Sequence, residues 1–237
     1  DFQSNYGLCN NVLGNILISD SGIVDLSGLS SINTIAGSLT IDSADTLENV
    51  DGLSGLTQIE ENLKIKHNIL LNDLSGFSNL NSVNNLMITS NSILNSLSGF
   101  EGLTQLTTGL LQIDGNPQLS NISSLNSIQV GINFVIVVDN DMLANLNGLS
   151  GVNGEIYRLD ILENENLISL AGLGDITTTG SKVIIRNNSN LSDISAFLSL
   201  TSINGDGLEI IGNPQIADLA AFANLTNING KIEIESN

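Results

Sequence analysis

Residues 63–83 read LKIKHNILLNDLSGFSNLNSV, and the spacing of their apolar side chains decides the fold. Leu63 and Ile65 alternate with Lys64 and Lys66, which is the period of a short strand with one buried face. Asn68 follows, and beyond it Leu71, Leu74, Phe77, Leu80 and Val83 recur at every third residue. A spacing of three belongs neither to a strand nor to an α-helix. It suits a chain turning corners through extended or 3-10 pieces, each dropping one side chain inward.

The same unit fills the chain. Asn68 is followed by equivalent asparagines at Asn91, Asn116, Asn140, Asn164, Asn188, Asn213 and Asn237, with gaps of 23, 25, 24, 24, 24, 25 and 24 residues. Two weaker copies precede them, with Ser21 and Ala44 in the asparagine place. Each copy opens on an alternating apolar pair, from Ile16/Ile18 through Val135/Val137 to Ile232/Ile234. One such unit cannot bury its own apolar edge, whereas a stack of ten buries a continuous core. The expected fold is a mainly β solenoid of ten coils of about 24 residues over 14–237, with little α-helix, behind a lead-in or cap at 1–13. No cap motif follows the strand unit ending at Asn237, so a continuation or neighbouring module is expected there. The asparagine row is read as structural: a stacked amide at one corner of each coil satisfies turn backbone that is otherwise buried unpaired.

Composition narrows the function. The chain has 25 acids against 6 bases and a net charge of -19, which argues against nucleic acid and anionic membranes. A single Cys, Cys9, excludes an intrachain disulfide, and a single His, His67, leaves zinc sites and Cys-His dyads short of ligands. No nucleophile elbow, P-loop or dinucleotide fingerprint occurs. Trp is absent and aromatics are 3%, so sugar-stacking surfaces are scarce. The expectation is a protein that is not an enzyme.

The run Leu-Ser-Gly-Phe-Glu-Gly-Leu-Thr-Gln-Leu at 97–106, followed by Leu111, Ile113 and Asn116, resembles the receptor L-domain repeat. The resemblance implies a right-handed β-solenoid of the leucine-rich-repeat group. It also implies an exported, extracellular or cell-surface setting and a role in adhesion or recognition. Cysteine-rich flanking modules are missing, which favours a microbial surface protein over an animal receptor.

Outward strand positions lie six, four and two places before each asparagine, and all six cations fall on them: Lys64, Lys66, Arg158, Lys182, Arg186 and Lys231. Asp42, Asp114, Asp160, Glu209, Glu233 and Glu235 share the face and bring it to neutrality. The same face carries Met87, Leu110, Phe134, Ile136, Val138, Leu162, Ile184 and Ile211, which are expected to form one contiguous patch. These residues, with Arg158, Lys182 and Arg186 as polar anchors, are the candidate contacts for a protein or other macromolecular partner. A homodimer, a covering loop, or cross-strand pairing that accounts for the cations are the alternatives.

A second candidate is the carboxylate cluster of Asp139, Asp141, Glu163 and Glu165 around Asn140 and Asn164, a possible calcium site once coils stack about 4.8 Å apart. A calcium-stiffened spacer in a large adhesin is therefore the second functional reading. Ice binding is a minor third, since outward Thr on the face is limited to Thr40 and Thr89.

Overall fold

The computed structural model describes residues 9–129 and 131–237. The alternating pairs form parallel strands, including Leu39–Asp42, Asn62–Lys66, Ser82–Thr89, Gln105–Asp114, Phe134–Val138, Arg158–Leu162, Lys182–Arg186, Gly207–Ile211 and Lys231–Glu235. They run in register. Leu63, Leu86, Leu111, Val135 and Leu159 stand opposite one another, as do Ile65, Ile88, Ile113, Val137 and Ile161. A second strip of short strands turns the next side of each coil, at Thr34–Ile35 and Gln58–Ile59 and later at Asn153–Ile156 and Asp175–Thr179. The third side is made by 3-10 turns such as Ser75–Phe77 and Ser195–Ser199. Among the described residues there is no α-helix, as the spacing of three predicts.

One hydrophobic cluster runs through the stack from Ile18 to Ala221. All the period-three residues of the quoted unit, Leu71, Leu74, Phe77, Leu80 and Val83, are buried in it. Phe77 stacks on Phe100 with ring centroids 5.4 Å apart, and Phe197 stacks on Phe222 at 5.1 Å. Of the expected lead-in, residues 1–8 lie outside the described residues. Asn11–Val12 pairs with Thr34–Ile35, so the second strip already begins ahead of Gly14.

The Leu-Ser-Gly step has a packing cause. A Cβ on Gly76 would lie 1.9 Å from the Val50 carbonyl oxygen of the preceding coil, and one on Gly52 equally close to the Leu26 oxygen. The coils approach so closely there that a side chain forces them apart. Ser124, Ala196 and Ala221 hold the corresponding place in other coils, and two of those lie in 3-10 turns lengthened to five residues.

The asparagines form a buried ladder. Asn140 Oδ1 accepts hydrogen bonds from the Asn116 backbone N–H at 3.3 Å and the Asn116 side-chain amide at 3.2 Å. Its Nδ2 donates to the Ile113 and Val138 carbonyls at 3.0 and 2.7 Å and to Asn164 Oδ1. The pattern repeats from the Ala44 N–H, which donates to Asn68 Oδ1, through to Asn237. Just before each ladder residue the backbone is left-handed. Gly115 and Gly212 adopt that conformation freely, whereas His67, Asp139, Glu163 and Asn187 hold it at φ of 53–56°.

Replacing Asn140 by Ala strands the Asn116 N–H and removes an amide donor from the Ile113 carbonyl, both in the interior. We expect a loss of about 2–4 kcal/mol, from one to two unsatisfied buried groups, read from urea denaturation followed by circular dichroism. A loss below about 0.5 kcal/mol would show the ladder to be decorative.

Candidate functional site

The strand register sorts the outward face into three columns. Leu110, Phe134, Arg158 and Lys182 stand side by side in the first; Met87, Gln112, Ile136, Asp160, Ile184 and Glu209 in the second; and Thr89, Asp114, Val138, Leu162, Arg186 and Ile211 in the third. The apolar group is narrower than the sequence reading drew it. Leu110, Phe134, Ile136, Val138 and Leu162 adjoin directly, across strands or as next-but-one residues within one. Gln112 separates Met87 from Ile136, and Arg186 separates Ile211 from Leu162. Ile184 is 8% exposed, with Asp160 and Glu209 opposite it on either side.

The expected polar anchors are already engaged. Arg158 Nε donates to both oxygens of Asp160 at 2.9 Å. Lys182 and Arg186 both pair with Glu209. Burial pushes the Glu209 carboxyl up, but the hydrogen bond from Lys182 and the charges of Lys182 and Arg186 outweigh it, and the group sits below its ordinary value. Lys66 pairs with Asp42 at 3.0 Å and Lys231 with Glu233 at 2.8 Å. His67 Nδ1 also lies 3.0 Å from Asp42. The hydrogen bond from His67, with Lys66 and Ser43, lowers the Asp42 carboxyl to about 2. Lys64 is the cation with no ion pair among the described residues. Pairing between neighbouring outward positions, across strands for Lys66, Lys182 and Arg186 and within one strand for Arg158 and Lys231, thus accounts for five of the six cations on this face.

Sequence reasoning missed Tyr157. Its ring packs against Phe134 with centroids 5.1 Å apart, and 51% of the residue is exposed. It sits one residue ahead of the Arg158–Leu162 strand, at the corner where the second strip meets the face. Counting only the three outward strand positions left it out. A window one residue wider would have found it. The exposed Leu70, Ile93 and Met142 each lie two residues past a ladder asparagine, likewise outside the positions counted.

Asp139, Asp141, Glu163 and Glu165 flank the ladder on adjacent coils, as their spacing predicts. Among the described residues no group of three or more His, Cys, Asp or Glu is arranged to hold a metal ion. The proximity of some of these acids is visible in Asp139, whose carboxyl is raised by burial and by the charges of Asp141, Glu163 and Asp114.

The sheet face thus combines a fixed register, charges paired among neighbours and an apolar centre. Residues 33–130 match the family model of the receptor L domain. This stretch is less than half of the chain, and over it the protein is receptor L-domain-like. The same repeat continues beyond the matched stretch to Asn237. No curated protein matches the chain. Among the described residues no helix is long and apolar enough to cross a membrane.

Asp139 supplies a pH test. Its folded-state carboxyl is raised above the ordinary 3.8, so its ionised form opposes folding at neutral pH, and that penalty disappears as pH falls through the raised value toward 3.8. Asp139→Asn should raise the thermal midpoint at pH 7 and lose the electrostatic part of its advantage below pH 3.8. The part that comes from asparagine's tolerance of left-handed backbone stays constant with pH. A gain independent of pH across the range would assign the whole effect to the backbone.

Proposed function

We propose that the protein is a non-catalytic extracellular recognition module that binds a protein partner through the exposed face of its parallel sheet. The observation carrying this reading is the adjoining group Leu110, Phe134, Ile136, Val138 and Leu162 on a face whose cations are largely neutralised by their neighbours. Such a face offers apolar area to a partner with little charge to desolvate. The body around it is strongly acidic, so the neutral sheet is the approach least opposed by self-repulsion. The resemblance to receptor L domains and the lack of any assembled catalytic or nucleotide-binding motif in the sequence support the same reading.

The second reading is a rigid spacer of a surface adhesin, favoured by the unbroken core and the asparagine ladder that ties each coil to the next. Calcium at Asp139, Asp141, Glu163 and Glu165 belongs to that reading, and a melting midpoint unchanged between calcium and chelator removes it.

Ile136→Asp/Val138→Asp separates the two. Both side chains are outward, so the variant should keep the wild-type circular dichroism spectrum, with a somewhat lower melting midpoint because Asp160 and Asp114 stand directly opposite the new carboxylates. Against an array of purified extracellular domains, the wild type should capture a defined partner and the variant should lose at least tenfold in affinity, about 1.4 kcal/mol. Light scattering of the wild type as a dimer that the variant splits would make the face a self-association surface. Equal behaviour of both proteins would leave the spacer reading standing.

A further inference from the structure

We infer that the corner beside the sheet face, formed by Phe134, Tyr157, Glu155 and Asn133, is a pocket for a cationic side chain, so that the partner presents an Arg- or Lys-bearing segment there. The inference rests on the recognition reading and gives its partner a chemistry. Among the described aromatic residues, Phe77, Phe100 and Phe197 are buried and Phe222 packs against the core, which leaves Phe134 and Tyr157 as the aromatic pair at the surface. They touch each other, and Gly180 of the following coil leaves room for the Tyr157 ring, where an added Cβ would meet it at 3.0 Å. A cavity of about 330 Å³ opens beside them, lined by Asn133, Phe134, Glu155, Ile156 and Tyr157.

Glu155 is exposed and its side chain has no hydrogen-bond or ion-pair partner among the described residues. The nearest cation along the chain, Arg158, is held by Asp160. Lys64, the cation left unpaired, stands several coils away. The corner therefore combines an unneutralised carboxylate, a half-exposed phenol ring and an amide side chain, on a body of net charge -19. A guanidinium or ammonium group satisfies all of these: the carboxylate takes the charge and the aromatic ring takes the cation against its π-cloud. An acidic or neutral segment satisfies neither the charge nor the field around it. Beyond the pocket lies the apolar strip Phe134, Ile136 and Val138, so the cationic residue of the partner would be followed by apolar ones.

The test uses a fluorescein-labelled Gly-Arg-Ile-Val-Gly peptide amide, its citrulline counterpart and its Glu counterpart, with binding read by anisotropy. Tyrosine fluorescence in a Tyr6→Phe background reports on Tyr157, since the chain has two Tyr and no Trp. The Arg peptide should bind, the citrulline peptide several-fold more weakly and the Glu peptide not at all. Glu155→Gln and Tyr157→Leu should each weaken the Arg peptide about two- to fivefold and together about tenfold, while Glu60→Gln, an exposed acid elsewhere, should not. Equal losses in Glu155→Gln and Glu60→Gln would reduce the effect to net charge and overturn the pocket, as would the absence of binding. If Arg and citrulline peptides bind alike and only Ile136→Asp/Val138→Asp abolishes them, the pocket falls and the sheet-face reading survives. If Arg binding persists in that variant and disappears in Glu155→Gln/Tyr157→Leu, the pocket stands and the sheet-face reading falls.

Discussion

Stacking coils on one another strands backbone groups at every corner, because the chain must turn where there is neither sheet nor water to pair with it. The buried asparagine resolves this with one side chain. Its oxygen takes the N–H and amide of the asparagine before it, and its own amide donates to carbonyls of two coils at once. Apolar residues in that position would fill the space and leave the polar groups unpaired. The ladder also sets the phase of the stack. With a corner of each coil pinned to the next, the strands after it are held in register, and the outward side chains fall into straight columns.

Those columns are where charge and function meet. Oppositely charged residues two positions apart in one strand, or on neighbouring strands, are brought within reach because the register does not slip. Arg158 and Asp160 are next-but-one neighbours, and Glu209 accepts from two cations of the strand beside it. The pairing neutralises the face on a body that is otherwise strongly acidic. It also leaves the apolar centre as the part of the sheet without polar commitments. The same corner geometry imposes a local cost, visible in left-handed non-glycine residues before the ladder and in the crowding of Asp139 by neighbouring acids.

Much of this was legible in the chain. A period of about 24 residues, an alternating pair before each asparagine and apolar residues at every third place afterwards are statements about which side chains are buried, and burial is what a repeat encodes most redundantly. The structure buries those residues and turns the intervening segments into 3-10 pieces. The structural role of the asparagines was readable for the same reason: a polar residue recurring at a fixed place in a stack must pair with the coil beside it. The outward patch was readable as a set but not as a shape. Listing Met87, Ile184 and Ile211 with the central five follows from alternation alone, whereas their separation by Gln112, Asp160 and Arg186 depends on which residue faces which across coils of unequal length.

The sequence by itself therefore determined the fold class, the buried set, the ladder and the face that carries the cations, since each is a local pattern repeated about ten times along the chain. Only the tertiary structure decided which cations are already paired, that Ile184 is covered, and that Phe134 meets Tyr157 at a corner beside an unneutralised Glu155. The contacts that cross coils, such as Lys182 and Arg186 with Glu209 and Phe134 with Tyr157, join residues some 23 to 27 positions apart, in coils joined by corners of variable length. Periodicity says which way a side chain points, and distance across the stack says what it touches.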